Sequence, residues 1–210
     1  MKRLILLLAS ASLFLTACGS DEGVKESGTK ETTTKVNKES KKKLEEVGDV
    51  VKDVDRTVTL KKYVTIDDVI EAGPVHITLK EIKFIEMTNL SGAAKKSLED
   101  EGHDTNSPIE YMQILLEVNN TSEDVVAMNK IVDKIVLNTG EQIELFERDM
   151  FFEQHLGDIY GGVAKEVRLA PIFESNLDDI ETLKFVIEEV YNPETYETIH
   201  DTQQSDYTIN

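Results

Sequence analysis

The fold of this chain is decided by residues 75–84, which read VHITLKEIKF. Apolar residues occupy every second position up to Leu79 and again from Ile82 to Phe84. The first group has odd residue numbers and the second has even ones, so a regular strand would place them on opposite faces. Alternation of this kind is typical of a strand with one buried face. One extra residue near Lys80-Glu81 keeps both halves facing inward, so the pattern predicts a β-bulge at this point.

A second alternating run, residues 112–118, carries its apolar side chains on one face and ends in the turn sequence Asn119-Asn120-Thr121-Ser122. The same signals recur along the chain, where turn sequences at residues 138–141 and 191–194 predict two hairpins. Further strands are predicted over residues 58–63, 131–137, 142–145, 164–169, 183–190 and 195–199.

One segment interrupts the strand pattern. Residues 91–102 are rich in helix formers, place Ala94 and Leu98 four positions apart, and end in Gly102. The sequence therefore predicts an all-β fold, an antiparallel β-sandwich of seven or more short strands with one short inserted helix.

Several short stretches give the chain a resemblance to a known group of proteins. They are the strand Tyr111–Val118 with its Asn-rich turn, the hairpin turn Leu137–Glu141, and the glycine-containing step Asp158–Ala164, which precedes a late strand and the pair Ile172-Phe173. In these stretches the chain resembles the uncharacterised Ig-like lipoprotein domains of Gram-positive bacteria, over most of residues 63–188. The resemblance implies an Ig-like sandwich on the outer side of a membrane and implies no reaction. The inserted helix and the long C-terminus depart from the usual pattern.

The first residues predict where the protein is located. Lys2-Arg3 precedes a short apolar run, and Leu15-Thr16-Ala17-Cys18 resembles a bacterial lipobox, in which a diacylglyceryl group is attached to the cysteine. The apolar run is shorter than the roughly 20 residues that a membrane-spanning helix needs. We therefore predict a lipoprotein signal peptide over residues 1–17, with an ordinary cleaved signal as the alternative. The membrane is the expected partner of the lipidated Cys18, which is the only cysteine, and the protein is expected on the extracytoplasmic face.

The stretch that follows differs in composition from the rest of the chain. Residues 19–50 hold seven lysines and eight acidic residues but no aromatic residue. A segment of this kind buries too little apolar surface to offset the entropy lost on ordering. The sequence therefore predicts a flexible, disordered tether over residues 18–53 and a folded Ig-like domain over residues 54–210.

The folded part is strongly acidic. The formal net charge of the chain is −18, and because the charges of the tether nearly cancel, this charge belongs to the domain. Nucleic-acid binding needs stripes of lysine and arginine, so the composition excludes it. Attraction to anionic lipid is disfavoured as well. An envelope protein or a cationic ligand is the expected partner, while solubility alone also accounts for an acidic surface.

No catalytic motif is present in the sequence. The four histidines are far apart, and the Ser-x-x-Lys spacing at residues 27–30 and 40–43 falls in the tether. We therefore predict no catalytic residue, no metal ligand set and no cofactor. Several carboxylates next to the inserted helix form a weak candidate cation cluster, for which a solvated loop is the preferred interpretation. Its members are Glu99, Asp100, Glu101 and Asp104.

These observations favour a membrane-anchored binding or interaction domain over an enzyme. An accessory or sensory subunit of an envelope complex is the first alternative, and an envelope enzyme or a cation-binding protein is a weaker one. The densest aromatic spot is Phe151-Phe152 with Leu156. Because adjacent strand residues point to opposite faces, we expect one of the two phenylalanines in the core.

Overall fold

The computed structural model of the protein describes residues 43–209. This part of the chain forms fourteen β-strands, two α-helices and one 3-10 turn at Leu177–Asp179. The strands are β1 (Val50–Lys52), β2 (Thr57–Ala72), β3 (Val75–Thr88), β4 (Ile109–Asn120), β5 (Val126–Met128), β6 (Val132–Leu137), β7 (Gln142–Glu144), β8 (Gly157–Ile159), β9 (Ala164–Leu169), β10 (Ile172–Phe173), β11 (Thr182–Ile187), β12 (Val190–Tyr191), β13 (Thr198–His200) and β14 (Gln203–Thr208). The helices are α1 (Gly92–Asp100) and α2 (Leu145–Arg148).

The strands form two layers, and every pairing between them is antiparallel. The first layer is a six-stranded sheet in the order β1-β2-β3-β4-β10, with β9 pairing β4 beside β10. The second layer consists of two four-stranded sheets, β14-β11-β6-β7 and β13-β12-β5-β8. The chain passes from one of these sheets to the other between β5 and β6, β7 and β8, β11 and β12, and β13 and β14. The Glu188 N–H, between β11 and β12, donates to the carbonyl of Ile131, between β5 and β6, over 3.2 Å. The prediction of an all-β antiparallel sandwich with a short inserted helix is confirmed.

The predicted β-bulge lies in β3. Leu79 pairs with Leu116 of β4, and Glu81 pairs with the next residue along, Leu115, so Lys80 is the extra residue. Because of this shift, the apolar residues on both sides of the bulge face the same layer, and Leu79 and Ile82 are both fully buried.

Apolar side chains of the two layers meet in a single large cluster, which we call the main core. The first layer contributes the inward-facing rows of β3 and β4, including Phe84, whose ring meets that of Phe173 edge to face at 6.0 Å. In the second layer Phe185 meets Tyr207 in the same way at 5.7 Å. Residues from all three sheets are fully buried here, so alternation along the strands accounts for the packing of this region.

A second, smaller cluster covers part of the opposite face of the first layer. We call it the outer cluster, and it consists of Leu60, Ile85, Met87, Leu98, Ile109, Tyr111, Ala170 and Ile172. Leu98 is the only buried residue of α1, and it seals this face from outside. The helix begins at Ser91, whose hydroxyl accepts the Ala94 N–H over 3.2 Å and donates to Asp55 over 2.9 Å, which ties the insertion to the β1–β2 turn.

The N-terminal border of the ordered domain lies earlier than the sequence predicts. Residues 50–52 were assigned to the tether, yet they form β1 and pair with residues 57–59 of β2. The half-buried Leu44 packs on the outer cluster, and the Gly48 N–H donates to the Leu60 carbonyl over 2.8 Å. The sequence alone does not indicate a role for Leu44, because the cluster that it packs against lies on the outer face of the sheet. The predicted signal peptide and residues 18–42 of the predicted tether lie outside the described residues.

The expectation that Phe151 or Phe152 fills the core is wrong. Both side chains are exposed, at 39% and 57%, because residues 149–156 form no regular strand and Phe152 has a φ of 55°. Within residues 43–209, no helix is long and apolar enough to cross a membrane.

Candidate functional site

One end of the sandwich opens into a cleft of about 490 Å³, which we call the acidic cleft. It lies where β3 ends and β4 begins, under the loop that follows α1. Its apolar lining includes Ile109, Ile172 and Phe173. Its acidic lining consists of Glu86, Asp104, Glu110 and Glu174.

The two central carboxylates are placed by the strands themselves. Glu86 of β3 and Glu110 of β4 are direct cross-strand partners, and they follow the buried pair Phe84 and Met112 on the same face of the sheet. The inward-facing rows of the main core therefore end in two glutamates at the mouth of the sandwich. Like charges directly opposite each other in a sheet are destabilising, so this pair needs a compensating charge.

Two of the four acidic groups have an opposite charge nearby, and a third accepts hydrogen bonds. The Lys61 ammonium lies 3.5 Å from the Glu86 carboxylate, and the Arg148 guanidinium lies 3.2 Å from that of Glu174. Asp104 accepts hydrogen bonds from the backbone and the side-chain amide of Asn106, and these hold the pKa of Asp104 below its usual range.

Glu110 differs from the other three. Among residues 43–209, no hydrogen bond or ion pair involves its carboxylate. Burial raises the pKa of Glu110, and the neighbouring charges of Glu86 and Asp178 raise it further against the opposing effect of Lys61. A half-buried carboxylate with a raised pKa, which lies beside apolar walls and has no partner among the described residues, is suited to receive a positively charged group.

The residues that the sequence singled out for cation binding do not converge. Glu99 accepts a hydrogen bond from the Thr105 hydroxyl over 2.5 Å, and Asp100 pairs with the Lys96 ammonium at 2.7 Å. Glu101 is the exposed C-cap of α1, and of the four only Asp104 lines the acidic cleft. Within the described part of the chain, no group of three His, Cys, Asp or Glu residues is arranged to hold a metal ion.

The other sequence predictions for the site fall elsewhere. Cys18, the predicted lipid attachment site, lies outside the described residues. Of the four histidines, only His103 lines the cleft, while His155 meets the ring of the exposed Phe146 at 6.3 Å. Glu86 and Glu110 were not selected from the sequence. The sequence feature that could have identified them is that each is an acidic residue at a position where the alternation predicts an inward-facing side chain.

A further titratable group is buried away from the cleft. Asp149 is 1% exposed, and one of its carboxylate oxygens accepts the N–H groups of Ala170, over 2.7 Å, and Phe151, over 3.1 Å. The other oxygen is buried, and no residue from 43 to 209 forms a hydrogen bond with it. Burial raises the pKa of Asp149 in spite of the two bonds.

Comparison with known proteins gives a fold and no activity. No protein-family model and no curated protein matches the chain. A functionally unknown protein from Listeria monocytogenes EGD-e is similar in structure, with a TM-score of 0.50 and 9% sequence identity over 73% of this chain and 88% of that one. A conserved hypothetical protein from Bacillus anthracis has a TM-score of 0.40 and 10% identity, over 70% of this chain and 99% of that one. At 9% identity, the likeness to the Listeria protein concerns the fold alone.

Proposed function

We propose that this protein is a lipoprotein of the Ig-like type found in Gram-positive bacteria, anchored through Cys18 on the extracytoplasmic face of the membrane, and that its domain binds an organic cation in the acidic cleft. The proposal of an anchor is supported by the lipobox sequence around Cys18. The proposal of a binding domain is supported by the geometry of the cleft. In this role the domain presents its ligand site at the end of a charged tether.

The observation that carries the ligand class is the carboxylate of Glu110, which has no partner among residues 43–209. It faces Glu86 across the strand pair in a cleft whose other walls include the apolar side chains of Ile109 and Phe173. A ligand with an ammonium or guanidinium group on an apolar body satisfies both features at once. The charge neutralises the glutamate pair, and the body covers apolar surface.

The anchor is tested by metabolic labelling with palmitate. The wild-type protein should incorporate label, and the Cys18→Ala variant should not. Label in the Cys18→Ala protein would falsify the lipoprotein assignment.

The ligand class is tested by titrating the full-length protein with hexylamine and following the backbone amide signals by NMR. 1-Hexanol, which has the same alkyl chain and no charge, is the control ligand. Hexylamine should shift signals around the cleft in a saturable way, and hexanol should not. Affinity should fall as the pH is lowered through the raised pKa of Glu110, because protonation removes the charge that attracts the amine.

A charge-matched pair of variants locates the site. Glu110→Gln should weaken hexylamine binding at least tenfold, which corresponds to about 1.4 kcal/mol. Glu117→Gln removes the same charge from the same strand, outside the cleft, and should change the affinity by less than twofold. Equal losses in the two variants, or equal binding of hexanol, would contradict the proposed ligand class.

A further inference from the structure

The opposite end of the sandwich carries a second and larger concavity of about 890 Å³, which we call the distal groove. It is formed by the β2–β3 turn, the β4–β5 loop, the end of β8 and the β12–β13 turn. Val75 and Asn120 are cross-strand partners at this end, as Glu86 and Glu110 are at the other. The eleven steps along β3 from Val75 to Glu86 span roughly 35 Å at about 3.3 Å each, so the groove and the acidic cleft are separate sites.

The charges of the groove all have one sign. Asp124, Asp158 and Glu194 line it with exposed carboxylates, and none of the described residues in its lining is a lysine or an arginine. No hydrogen bond or ion pair joins these three carboxylates to any residue from 43 to 209. Because all four contributing segments are anchored in the same fold, three uncompensated negative charges converge on one concave surface.

Apolar and aromatic surface lies between these charges. Tyr160 is 62% exposed and Ile199 is 45% exposed, and both line the groove. Tyr196 stands in the same β12–β13 turn as Glu194 and stacks on Tyr191, with ring centroids 6.2 Å apart. Exposed aromatic side chains next to carboxylates provide a face for a flat cation and an acceptor for its hydrogen bonds.

The walls of the groove are held rigidly before any ligand arrives. The fully buried Asn120 donates to the Asp124 carbonyl over 2.8 Å and to the Ile159 carbonyl over 2.9 Å, and so joins two of the walls. A Cβ placed on Gly161 would lie 2.4 Å from the Glu123 carbonyl oxygen, so the segment after β8 packs directly on the β4–β5 loop. A preformed surface loses little conformational freedom on binding.

We propose that the distal groove is an interaction surface for a basic segment of a partner protein. An arginine of that segment stacks on Tyr160 while its guanidinium pairs with a neighbouring carboxylate, and Ile199 covers the aliphatic part of an adjacent side chain. Charge complementarity selects this occupant, since the groups left unpaired in the groove are acidic. The site is independent of the acidic cleft and of the anchor at Cys18.

The test uses the full-length protein in detergent at about 0.15 M salt, where long-range attraction is screened beyond about 8 Å. The probe is a fluorescein-labelled peptide of four Arg-Gly repeats, and the control is the matching peptide of four Gln-Gly repeats. Fluorescence anisotropy should show saturable binding of the arginine peptide and none of the glutamine peptide. Calorimetry with tetra-N-acetylchitotetraose tests whether the groove binds a glycan instead.

Two charge-matched triple variants identify which end of the domain binds. The groove variant is Asp124→Asn, Asp158→Asn, Glu194→Gln, and we expect it to weaken binding of the arginine peptide at least tenfold. The cleft variant, which removes the same number of charges at the other end, should weaken it less than twofold. The cleft variant is Glu86→Gln, Glu110→Gln, Glu174→Gln.

A separate variant tests the aromatic face. Tyr160→Ser leaves the charge of the groove unchanged and should weaken binding of the arginine peptide about threefold. Equal losses in the two triple variants would mean that only the overall field of the domain attracts the peptide, and this result overturns the proposal. It is also overturned if the arginine peptide does not bind, or if the chitotetraose binds and the peptide does not.

Discussion

The main core and the outer cluster lie on opposite faces of the same six-stranded sheet, and they are stabilised by different parts of the chain. The main core is formed by long inward-facing rows from both layers. The outer cluster is a patch on one face, closed by a single buried residue of α1 and by the chain that leads into β1. The main core is covered by two layers of strands, whereas the outer cluster is covered by a short insertion and an N-terminal segment.

This difference predicts a hierarchy of stability. Opening the main core exposes apolar surface of three sheets, so it amounts to unfolding of the domain. Opening the outer cluster needs only α1 and residues 43–52 to leave the sheet, and such local openings have free energies well below that of global unfolding. The following changes test the hierarchy, from the largest expected effect to the smallest.

Leu116→Ala should have the largest effect, because Leu116 is 1% exposed in the centre of the main core. We expect a loss of about 2–5 kcal/mol in the free energy of unfolding, measured in urea. Glu117→Ala is the control on the same strand. Its side chain is 46% exposed and faces Lys80 at 3.4 Å, so its loss should stay within about 0.5 kcal/mol. Similar effects at both positions would contradict the strand register.

Leu98→Ala should have a smaller effect, a loss of about 2 kcal/mol in the free energy of unfolding, because α1 can leave the sheet while the main core stays packed. Native-state hydrogen exchange should show that α1 opens at a free energy well below that of β4, whose protection should fall by no more than the loss in unfolding free energy. Lys95→Ala, an exposed position on the same helix, is the matched control and should leave both rates unchanged. Equal opening free energies for α1 and β4 in Leu98→Ala would show that the two clusters unfold as one unit.

Two deletions compare the domain boundary predicted from the sequence, at residue 54, with the one in the structure, where the chain from residue 43 packs on the domain. Removing residues 20–42 should leave the unfolding free energy unchanged within about 0.5 kcal/mol. Removing residues 20–53 also deletes Leu44 and β1 and should cost about 1–2 kcal/mol, because the outer cluster loses part of its cover. Thermal unfolding of both proteins provides the measurement, and equal midpoints would mean that β1 contributes nothing.

Asp149→Asn tests the junction of the two clusters, where Asp149 accepts the N–H of Ala170, a member of the outer cluster. The folded-state pKa of Asp149 is raised, so its contribution to stability is full below the unfolded pKa of about 3.9 and is lost as the pH rises through the folded pKa. Asparagine does not titrate. The stability of the variant relative to wild type should therefore increase as the pH rises from 4 to 7.

Urea unfolding across this pH range measures the effect. Glu147→Gln removes a charge from an exposed position of α2 and should leave the pH profile parallel to that of wild type. A constant difference between Asp149→Asn and wild type from pH 4 to pH 7 would mean that the buried carboxyl does not titrate in this window.

Strand alternation explains which parts of the fold could be predicted from the sequence. It indicated the bulge at Lys80, since only an extra residue reconciles the two parities of β3, and it placed Leu116 in the core. It gave no account of the outer cluster, because there both faces of the sheet are covered. The adjacent buried pairs Phe84-Ile85 and Tyr111-Met112 are the trace that two-sided burial leaves in the sequence.

The acidic cleft could not be predicted for a related reason. Alternation places Glu86 and Glu110 on the inward-facing side of their strands, but their meeting depends on the register between β3 and β4. A two-residue hairpin fixes such a register, whereas residues 89–108 form a long connection that contains a helix, so the register cannot be counted from the sequence. Phe151 and Phe152 show the opposite error, in which apolar residues are expected in the core and are exposed. Apolar character outside a regular strand does not specify burial.

The bulge in β3 also bears on how sequences of this fold can change in length over generations. Loss of Lys80 leaves Leu79 and Glu81 adjacent, and they already pair with the adjacent residues Leu116 and Leu115 of β4. A chain without this residue therefore keeps every inward-facing side chain of β3 in place and gains a regular ladder with β4. Towards β2 it leaves Ile66 and Asp67 as two extra residues between Thr65 and Asp68, the partners of Glu81 and Leu79. Gain or loss of one residue elsewhere in β3 reverses the facing of all residues beyond it. Descendants of this gene can thus carry a gap at position 80 within an otherwise continuous strand.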